Sequence, residues 1–180
     1  ARQEYRGYDS AGLAVFGEGN DSIQVFKRLG KVAELQSAVS GNPLGGITGI
    51  AHTRWATHGV PAEKNAHPHH SNNEVYIVHN GIIENHKEIK TTLKALGYRF
   101  ESDTDTEVIG HLVHAKLETA ENLVEALRAA VKDLRGAYAI GAVHSKEPSI
   151  IAAARKGSPL VVAHGAGENF ITSDQLALAG

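Results

Sequence analysis

The order of strand-like and helical segments is the feature that most constrains the fold of this chain. The runs SAGLAVF and SIQVFKRL alternate in polarity on either side of the turn GEGND, a pattern typical of a β-hairpin. Four more strand-like runs close the chain, namely AYAIGAVH, SIIAAAR, PLVVAHG and NFITS. Because strands at both ends enclose a helical middle section, the order favours an α+β fold with antiparallel sheets over a parallel βαβ array.

The section between these ends begins with a short helix and two strands. KVAELQSAVSG keeps one apolar face and ends at Gly41, which predicts a helix. The strands GGITGIAH and EVYIVHNG follow. We expect the residues between them, from Trp55 to Asn73, to form a long loop.

Two capping-box patterns predict where the longer helices begin. Asn85 is followed three residues later by Glu88, and Thr104 by Glu107, so we expect helices to start at Asn85 and Thr104. A further helical period runs through ENLVEALRAAVKDLRG. We expect the helices that start at Asn85 and Thr104 to cover an outer face of two stacked antiparallel sheets.

Length and charge narrow the function classes. The 180 residues are 42% hydrophobic, enough for one core, so residues 1–180 are expected to form a single domain. A net charge of -2 without long runs of like charge gives no electrostatic basis for binding nucleic acid or an anionic membrane. No apolar stretch approaches the ~20 residues of a membrane span, and no signal peptide opens the chain. We therefore expect a cytoplasmic protein.

Polar residues concentrate in five short segments, each at a strand end, in a loop or at a helix start. These segments are EYRGYDSAG, HTRWATHG, NAHPHH, HNGIIEN and SDTDTE. Scaffolds present side chains and free backbone donors to ligands at such places. The five segments are therefore the candidate binding or catalytic site.

Four residues in these segments have the chemistry to hold an amino acid and to stabilise an oxyanion. Arg54 offers a planar fork for a carboxylate, and Asp105 offers a fixed anion for an ammonium group. Asn80 and Gly81 offer a side-chain NH₂ and an unhindered backbone N–H, two donors suited to a tetrahedral oxyanion. Together they indicate acyl chemistry on an amino-acid side chain. The simpler interpretations are that Arg54 pairs with a surface carboxylate, that Asp105 only starts a helix, and that Asn80 and Gly81 form a turn.

Nine segments, in order along nearly the whole chain, carry a family resemblance: EYRGYDSAG, RLGKV, AHTRWATHG, NAHPH, VHNGIIEN, TDTEV, LRGAYA, GSPLV and ENFITSDQLAL. Together they resemble the glutaminase domain of the glucosamine-6-phosphate synthase family, within the class-II glutamine amidotransferases. The resemblance implies an N-terminal-nucleophile hydrolase fold, a four-layer αββα sandwich with two antiparallel sheets. It also implies that the family's first strand and helix are missing, because the chain contains no methionine and begins only three residues before the first of these motifs.

The resemblance implies roles for particular residues. Arg54 and Asp105 hold the α-carboxylate and α-amine of L-glutamine. Asn80 and Gly81 form the oxyanion hole, and Arg6 lies beside the terminus of the nucleophile. Contacts to glutamine are further implied for Trp55, Thr57, His58, His67 and Gly81, with Trp55 in a loop that covers the site.

The implied reaction is hydrolysis of the glutamine side-chain amide to glutamate and ammonia. The resemblance also implies that a sugar-isomerase domain of the same parent chain would transfer the ammonia to fructose 6-phosphate, giving glucosamine 6-phosphate. No cofactor is implied, and a homodimer is compatible with the full-length parent. The family nucleophile is an N-terminal cysteine, however, and this chain contains no cysteine. We therefore expect the chain to be catalytically incompetent by itself.

Three alternatives remain open. Another class-II amidotransferase could carry a similar glutaminase domain, although such relatives typically differ at Trp55, His58 and NAHPH. A non-catalytic amino-acid-binding module could keep the pocket without the chemistry. A metal site is suggested by His67, His69 and His70, but HPHH lacks the i, i+4 helical spacing of a zinc protease, and we expect no metal.

Overall fold

The computed structural model describes residues 7, 9–17, 23–42, 44–55 and 59–178 of the chain. In this part of the chain, the first sheet consists of β1 (Ser10–Phe16), β2 (Ile23–Leu29) and β3 (Thr48–Arg54). Their order is β2-β1-β3, and both pairs are antiparallel. β1 and β2 form the hairpin that their alternating polarity predicted.

The second sheet consists of β4 (His69–Ser71), β5 (Val75–Ile83), β6 (Gly136–His144) and β7 (Ile151–Lys156), neighbours in that order and all antiparallel. A separate hairpin follows, made of β8 (Val161–His164) and β9 (Asn169–Thr172), and a 3-10 turn spans Gln175–Leu178. The four strands predicted for the C-terminal section are therefore confirmed.

The predicted long loop from Trp55 to Asn73 was partly wrong, because it contains regular structure. A 3-10 turn spans Glu63–Asn65, and β4 pairs with β5, which places His69 opposite Ile77. A strand of three residues is too short to show an alternating pattern. Its pairing with β5, more than its own sequence, creates it.

The described residues form four helices: α1 (Val32–Ser40), α2 (His86–Ala95), α3 (Glu107–Leu117) and α4 (Leu123–Ala130). All four helices were predicted from the sequence. The capping box predicted at Asn85 and Glu88 was wrong, because its side-chain cap bond does not form. Asn85 precedes α2 without capping it through its side chain. The side chain instead donates to the carbonyl of Asp133 and accepts from the backbone N–H of Arg135, each at 2.9 Å. It therefore ties the start of α2 to the chain that leads into β6.

The second capping box was also wrong, because α3 begins at Glu107 and not at Thr104. The hydroxyl of Thr104 lies 3.1 Å from Nε2 of His69. Glu107 accepts hydrogen bonds from the backbone N–H groups of Glu101 and Ser102, both at 2.8 Å. The acidic residue therefore stabilises the loop before α3, which is the segment that carries Asp105.

A small apolar core lies between the two sheets. Ala14, Phe16 and Ile50 from the first sheet pack against Tyr76 and Val143 from the second. The rings of Phe16 and Tyr76 meet edge to face, with their centroids 6.4 Å apart. The two antiparallel sheets are thus stacked face to face.

The larger core lies between the second sheet and α2, α3 and α4. Val75, Ile77 and Ile83, at alternate positions of β5, are fully buried there. The helices contribute apolar side chains that include Leu93, Ile109, Val113, Leu123 and Leu127. α1 packs against β1 and β2. The predicted α+β sandwich of two antiparallel sheets with covering helices is confirmed. Among the described residues, the helices are too short and too polar to span a membrane.

Candidate functional site

A pocket of about 190 Å³ lies where β3 and β5 approach the loop before α3. Its lining residues are His52, Thr53, Arg54, Trp55, His67, His79, Asn80, Gly81, Thr104, Asp105 and Thr106. The pocket therefore brings together six of the residues predicted from the sequence, namely Arg54, Trp55, His67, Asn80, Gly81 and Asp105. The other three, Arg6, Thr57 and His58, lie outside the described residues.

Arg54 is the last residue of β3, and only 4% of its surface is exposed. Its Nη2 donates a hydrogen bond of 3.1 Å to the carbonyl oxygen of Gly59. Burial lowers the pKa of the guanidinium, and the carboxylates of Asp9 and Asp105 oppose that shift. Arg54 is therefore a buried cation of the pocket.

Asp105 lies in the loop before α3 and is as deeply buried as Arg54. Its Oδ2 accepts a hydrogen bond of 2.7 Å from the backbone N–H of Ile83. That bond fixes the carboxylate at the end of β5, two residues beyond Gly81. Asp105 therefore does more than start a helix, because its side chain fastens the loop to the sheet.

Glu107 was predicted only to complete a capping box, yet it organises the loop that carries Asp105. Besides the two backbone bonds, its Oε2 accepts a bond of 2.6 Å from the hydroxyl of Ser102. Burial by itself raises the pKa of Glu107. The hydrogen bonds with His111, Ser102 and Glu101 together lower it by more, so that the pKa is about 2. The carboxylate is therefore ionised at neutral pH. Its position in the first turn of a helix was the sequence signal for such a role, because that position stabilises negative charge.

Asn80 and Gly81 lie within β5, paired with β6, and the alternative that they form a turn is wrong. Oδ1 of Asn80 lies 2.8 Å from Nε2 of His52. Gly81 has a φ angle of +130°, and a Cβ atom at this position would lie 2.0 Å from the carbonyl oxygen of Ala137. Backbone conformation and close contact with β6 therefore both require glycine here.

Four histidines form a cluster at the pocket, and three of them, His52, His67 and His79, line it, while His69 contacts His67. The rings of His52 and His67 stack with centroids 4.1 Å apart and planes 22° apart, and His67 meets His69 edge to face at 4.9 Å. The backbone N–H of His79 donates to Nδ1 of His67 at 3.3 Å. Only His67 of the four was predicted as a site residue, because nothing in the sequence shows which histidines meet.

Burial keeps His67, His69 and His79 uncharged at neutral pH. It lowers the pKa of His69 to about 3 and that of His79 to about 4, and it lowers the pKa of His67 well below its usual value.

His70 lies apart from them, with its ring 5.6 Å from that of Tyr76. Within the described ranges, no three His, Asp or Glu side chains are arranged to hold a metal ion. That the purified protein is free of metal stays a prediction.

Trp55 lies at the rim of the pocket, with 57% of its surface exposed, and its role in a covering loop stays a prediction. A larger cavity, of about 670 Å³, lies between α2 and α3 and is lined by none of the predicted site residues. The chemistry predicted from the sequence is therefore concentrated in the smaller pocket.

Most of the chain matches a known protein family. Residues 52–179 match the family model described as a glutamine amidotransferase domain. Isomerizing glutamine-fructose-6-phosphate aminotransferases are similar over 177 residues, with 60% identity for the protein from Pseudomonas putida and 55% for that from Shewanella oneidensis. Each match covers 98% of this chain and 29% of the relative, so the chain spans less than a third of the length of these relatives.

Solved structures share the fold at lower sequence identity. A glutamine phosphoribosylpyrophosphate amidotransferase from B. subtilis is 23% identical with a TM-score of 0.82, over 98% of this chain and 38% of that chain. A glutamine aminotransferase class-II domain protein from Silicibacter pomeroyi is 15% identical with a TM-score of 0.60, over 91% of this chain and 79% of that chain. These structures support the same sandwich architecture. From the family match over residues 52–179, the chain belongs to the glutamine amidotransferase domain family.

Proposed function

We propose that this chain binds L-glutamine in the pocket between β3, β5 and the loop before α3, as the glutaminase part of an isomerizing glutamine-fructose-6-phosphate aminotransferase. The observation that carries the proposal is the convergence of Arg54, Asp105, Asn80 and Gly81 on one pocket. Its volume of about 190 Å³ suits a small metabolite, since drug-sized ligands occupy pockets of about 300–1,000 Å³.

Arg54 and Asp105 would hold the two charged groups of the amino acid. The guanidinium suits the α-carboxylate, and the Asp105 carboxylate accepts hydrogen bonds from the α-ammonium. Both side chains are buried, and charged hydrogen bonds are stronger where water is excluded. Because Ile83 already holds Oδ2 of Asp105, the anion is in place before glutamine binds. Further contacts are proposed for Trp55, Thr57, His58 and His67.

Asn80 and Gly81 would bind the oxyanion that forms when the side-chain amide is attacked. The proposed nucleophile is the thiolate of an N-terminal cysteine, with Arg6 beside that terminus and the free α-amine, whose pKa is ordinarily about 7.7 to 8, taking the thiol proton. The thiolate adds to the amide carbon, and ammonia leaves with that proton. Water then hydrolyses the thioester to glutamate. These 180 residues contain no cysteine, so we expect no turnover from this chain alone.

Transfer of the ammonia to fructose 6-phosphate, giving glucosamine 6-phosphate, is proposed from the names of relatives that are 55% to 60% identical. This step requires a sugar-isomerase domain, which would belong to the part of those relatives that this chain does not span. We propose a cytoplasmic parent enzyme, compatible with a homodimer, in which residues 1–180 form one glutaminase domain without a cofactor.

The binding proposal is tested by titrating the chain with L-glutamine and with glutaramate, which has the same side chain but no α-amine. We expect L-glutamine to bind at least tenfold more tightly, because a hydrogen bond to a charged group contributes about 1.5–3 kcal/mol. D-glutamine serves as the stereochemical control. Equal affinity for L-glutamine and glutaramate would contradict the proposed role of Asp105.

The catalytic proposal is tested by comparing this chain with a longer chain that begins with a free N-terminal cysteine followed by the family's upstream segment. We expect only the longer chain to hydrolyse glutamine and to be labelled by an electrophilic glutamine analogue. Turnover by the shorter chain would mean that another residue is the nucleophile. A longer chain that folds and binds glutamine without turnover would favour the non-catalytic amino-acid-binding module.

A further inference from the structure

We infer that His52 is a positioning residue that sets the amide orientation of Asn80, so that the NH₂ group and not the carbonyl oxygen faces the reacting amide. The inference rests on the proposed function, because it assigns His52 to the oxyanion hole of that reaction. The observation that carries it is the distance of 2.8 Å between Nε2 of His52 and Oδ1 of Asn80.

The chemistry of the two side chains makes this contact decisive. An asparagine amide has one acceptor atom and one donor group, and rotation by 180° exchanges them. When the N–H at Nε2 of His52 donates to Oδ1, the NH₂ of Asn80 is left as the group available to the pocket. With the amide reversed, a carbonyl oxygen would meet the developing negative charge and oppose the reaction electrostatically. The tautomer of His52 therefore decides whether Asn80 stabilises or destabilises the transition state.

The surroundings of His52 hold its ring in one orientation. One face stacks on His67, whose ring lies 4.1 Å away. His67 is itself fixed, because the backbone N–H of His79, the residue before Asn80 in β5, donates to its Nδ1 at 3.3 Å. His52 also lies in β3 opposite Gly12 of β1, which sets its backbone position. The strand that carries Asn80 thus supports both Asn80 and, through His67, the ring that orients it.

The two residues proposed to hold the charged groups of glutamine do not depend on the bond between His52 and Asn80. Arg54 and Asp105 have their own partners, the carbonyl of Gly59 and the N–H of Ile83. Loss of the His52 ring should therefore leave ground-state binding of glutamine nearly intact and weaken stabilisation of the transition state. Loss of an oxyanion-hole donor lowers kcat by about 100- to 1,000-fold, so misorientation of one should lower it by about tenfold or more.

The kinetic test uses a full-length amidotransferase that carries this segment, with the variants His52→Leu and His52→Gln. We expect His52→Leu to lower kcat for glutamine hydrolysis by about tenfold or more with KM changed less than about threefold. His52→Gln retains a side-chain N–H donor and should recover part of the loss. His164→Leu is the matched control, because that histidine lies in the exposed hairpin of β8 and β9, bonded to Asn169, and should leave both constants unchanged.

A measurement on the unsubstituted protein keeps the inference testable if a variant fails to fold. We expect ¹⁵N NMR of this chain to show His52 protonated at Nε2, with that proton coupled across the hydrogen bond to Asn80. An unprotonated Nε2 would overturn the inference, as would an unchanged kcat in folded His52→Leu or a failure of His52→Gln to recover activity. Asn80→Ala separates the two proposals. If this variant retains full kcat, the proposed oxyanion hole is wrong. If Asn80→Ala loses activity and His52→Leu does not, only the role of His52 is rejected.

Discussion

Oδ2 of Asp105 lies 2.7 Å from the backbone nitrogen of Ile83 and accepts its hydrogen bond. The bond joins the loop before α3 to the strand that carries Asn80 and Gly81. This bond therefore holds the residue proposed to bind the α-ammonium beside the residues proposed to bind the oxyanion. Asp105 has a structural role and a proposed binding role, and the two can be separated by mutation.

Asp105→Asn should fold almost normally and bind glutamine at least tenfold more weakly. Asparagine keeps a carbonyl oxygen for the N–H of Ile83 but has no charge for the ammonium, a loss worth about 1.5–3 kcal/mol. Asp105→Ala should lose binding and also about 1–3 kcal/mol of unfolding free energy, because a buried donor loses its acceptor. Calorimetric titration and urea denaturation measure the two effects.

The control for this prediction is Asp133→Asn. Asp133 forms an ion pair of 2.8 Å with Lys116 on the surface and does not line the pocket proposed to bind glutamine. We expect this variant to leave glutamine binding unchanged. Unchanged binding in Asp105→Asn would remove Asp105 from the substrate site.

Gly81→Ala should destabilise the protein through the geometry of β5. A φ angle of +130° costs other residues about 1–3 kcal/mol of strain, and the new Cβ would lie 2.0 Å from the Ala137 carbonyl oxygen. Gly41→Ala is the control, because nothing lies within 4 Å of its Cβ position and its φ is -88°. Urea unfolding of the two variants checks this, and a Gly81→Ala protein as stable as the unsubstituted chain would contradict the strand geometry.

Stability should fall as the pH is lowered below about 6.5, because the buried histidines resist protonation. Burial lowers the pKa of His69 to about 3, that of His79 to about 4 and that of His67 well below 6.5. Between the unfolded and folded pKa values the unfolded chain binds more protons, so the free energy of unfolding rises with pH there and levels off above 6.5. Each such histidine contributes a slope of up to about 1.4 kcal/mol per pH unit.

Urea denaturation across this pH range measures the slope. His69→Gln should reduce it, whereas His164→Gln, which changes a histidine on the exposed hairpin, should not. A free energy of unfolding that stays constant from about pH 7 to about pH 5 would show that these histidines titrate normally in the folded protein.

Glu107→Gln should lower the free energy of unfolding by on the order of 3 kcal/mol at neutral pH, because the pKa of this carboxyl falls from 4.5 to about 2 on folding. The ionised form is the stabilising one. The contribution is therefore complete above about pH 4.5 and is lost as the pH falls toward about 2.

The difference in unfolding free energy between the unsubstituted protein and Glu107→Gln measures this effect, because contributions that the two proteins share cancel. It should stay constant above about pH 4.5 and shrink below it. Glu121→Gln, at an exposed position before α4, is the control and should give a difference near zero. A difference that is equally small for both variants would show that Glu107 does not stabilise the loop.

Local patterns in the amino-acid sequence predicted the order of the strands and helices, except β4, and the residue types of the site. Alternating polarity in SAGLAVF and SIQVFKRL predicts strands because neighbouring side chains in a strand point to opposite faces, which is a local property. Arg54, Asp105 and the Asn80-Gly81 pair were predicted from their own chemistry and from their places at segment ends. Their presence in one pocket agrees with that prediction, while their roles await the experiments above.

Which groups meet depends on tertiary packing. β4 exists because β5 pairs with it, and Glu107 binds the backbone of Glu101 and Ser102 in place of capping Thr104. His52 and Asn80 are 28 residues apart in the chain, and no local pattern connects them. The physical reason is that buried polar atoms must find partners wherever the folded chain places them. Sequence spacing specifies such partners only within a turn or a helix, whereas packing of the two sheets specifies those between β3, β5 and the loop before α3.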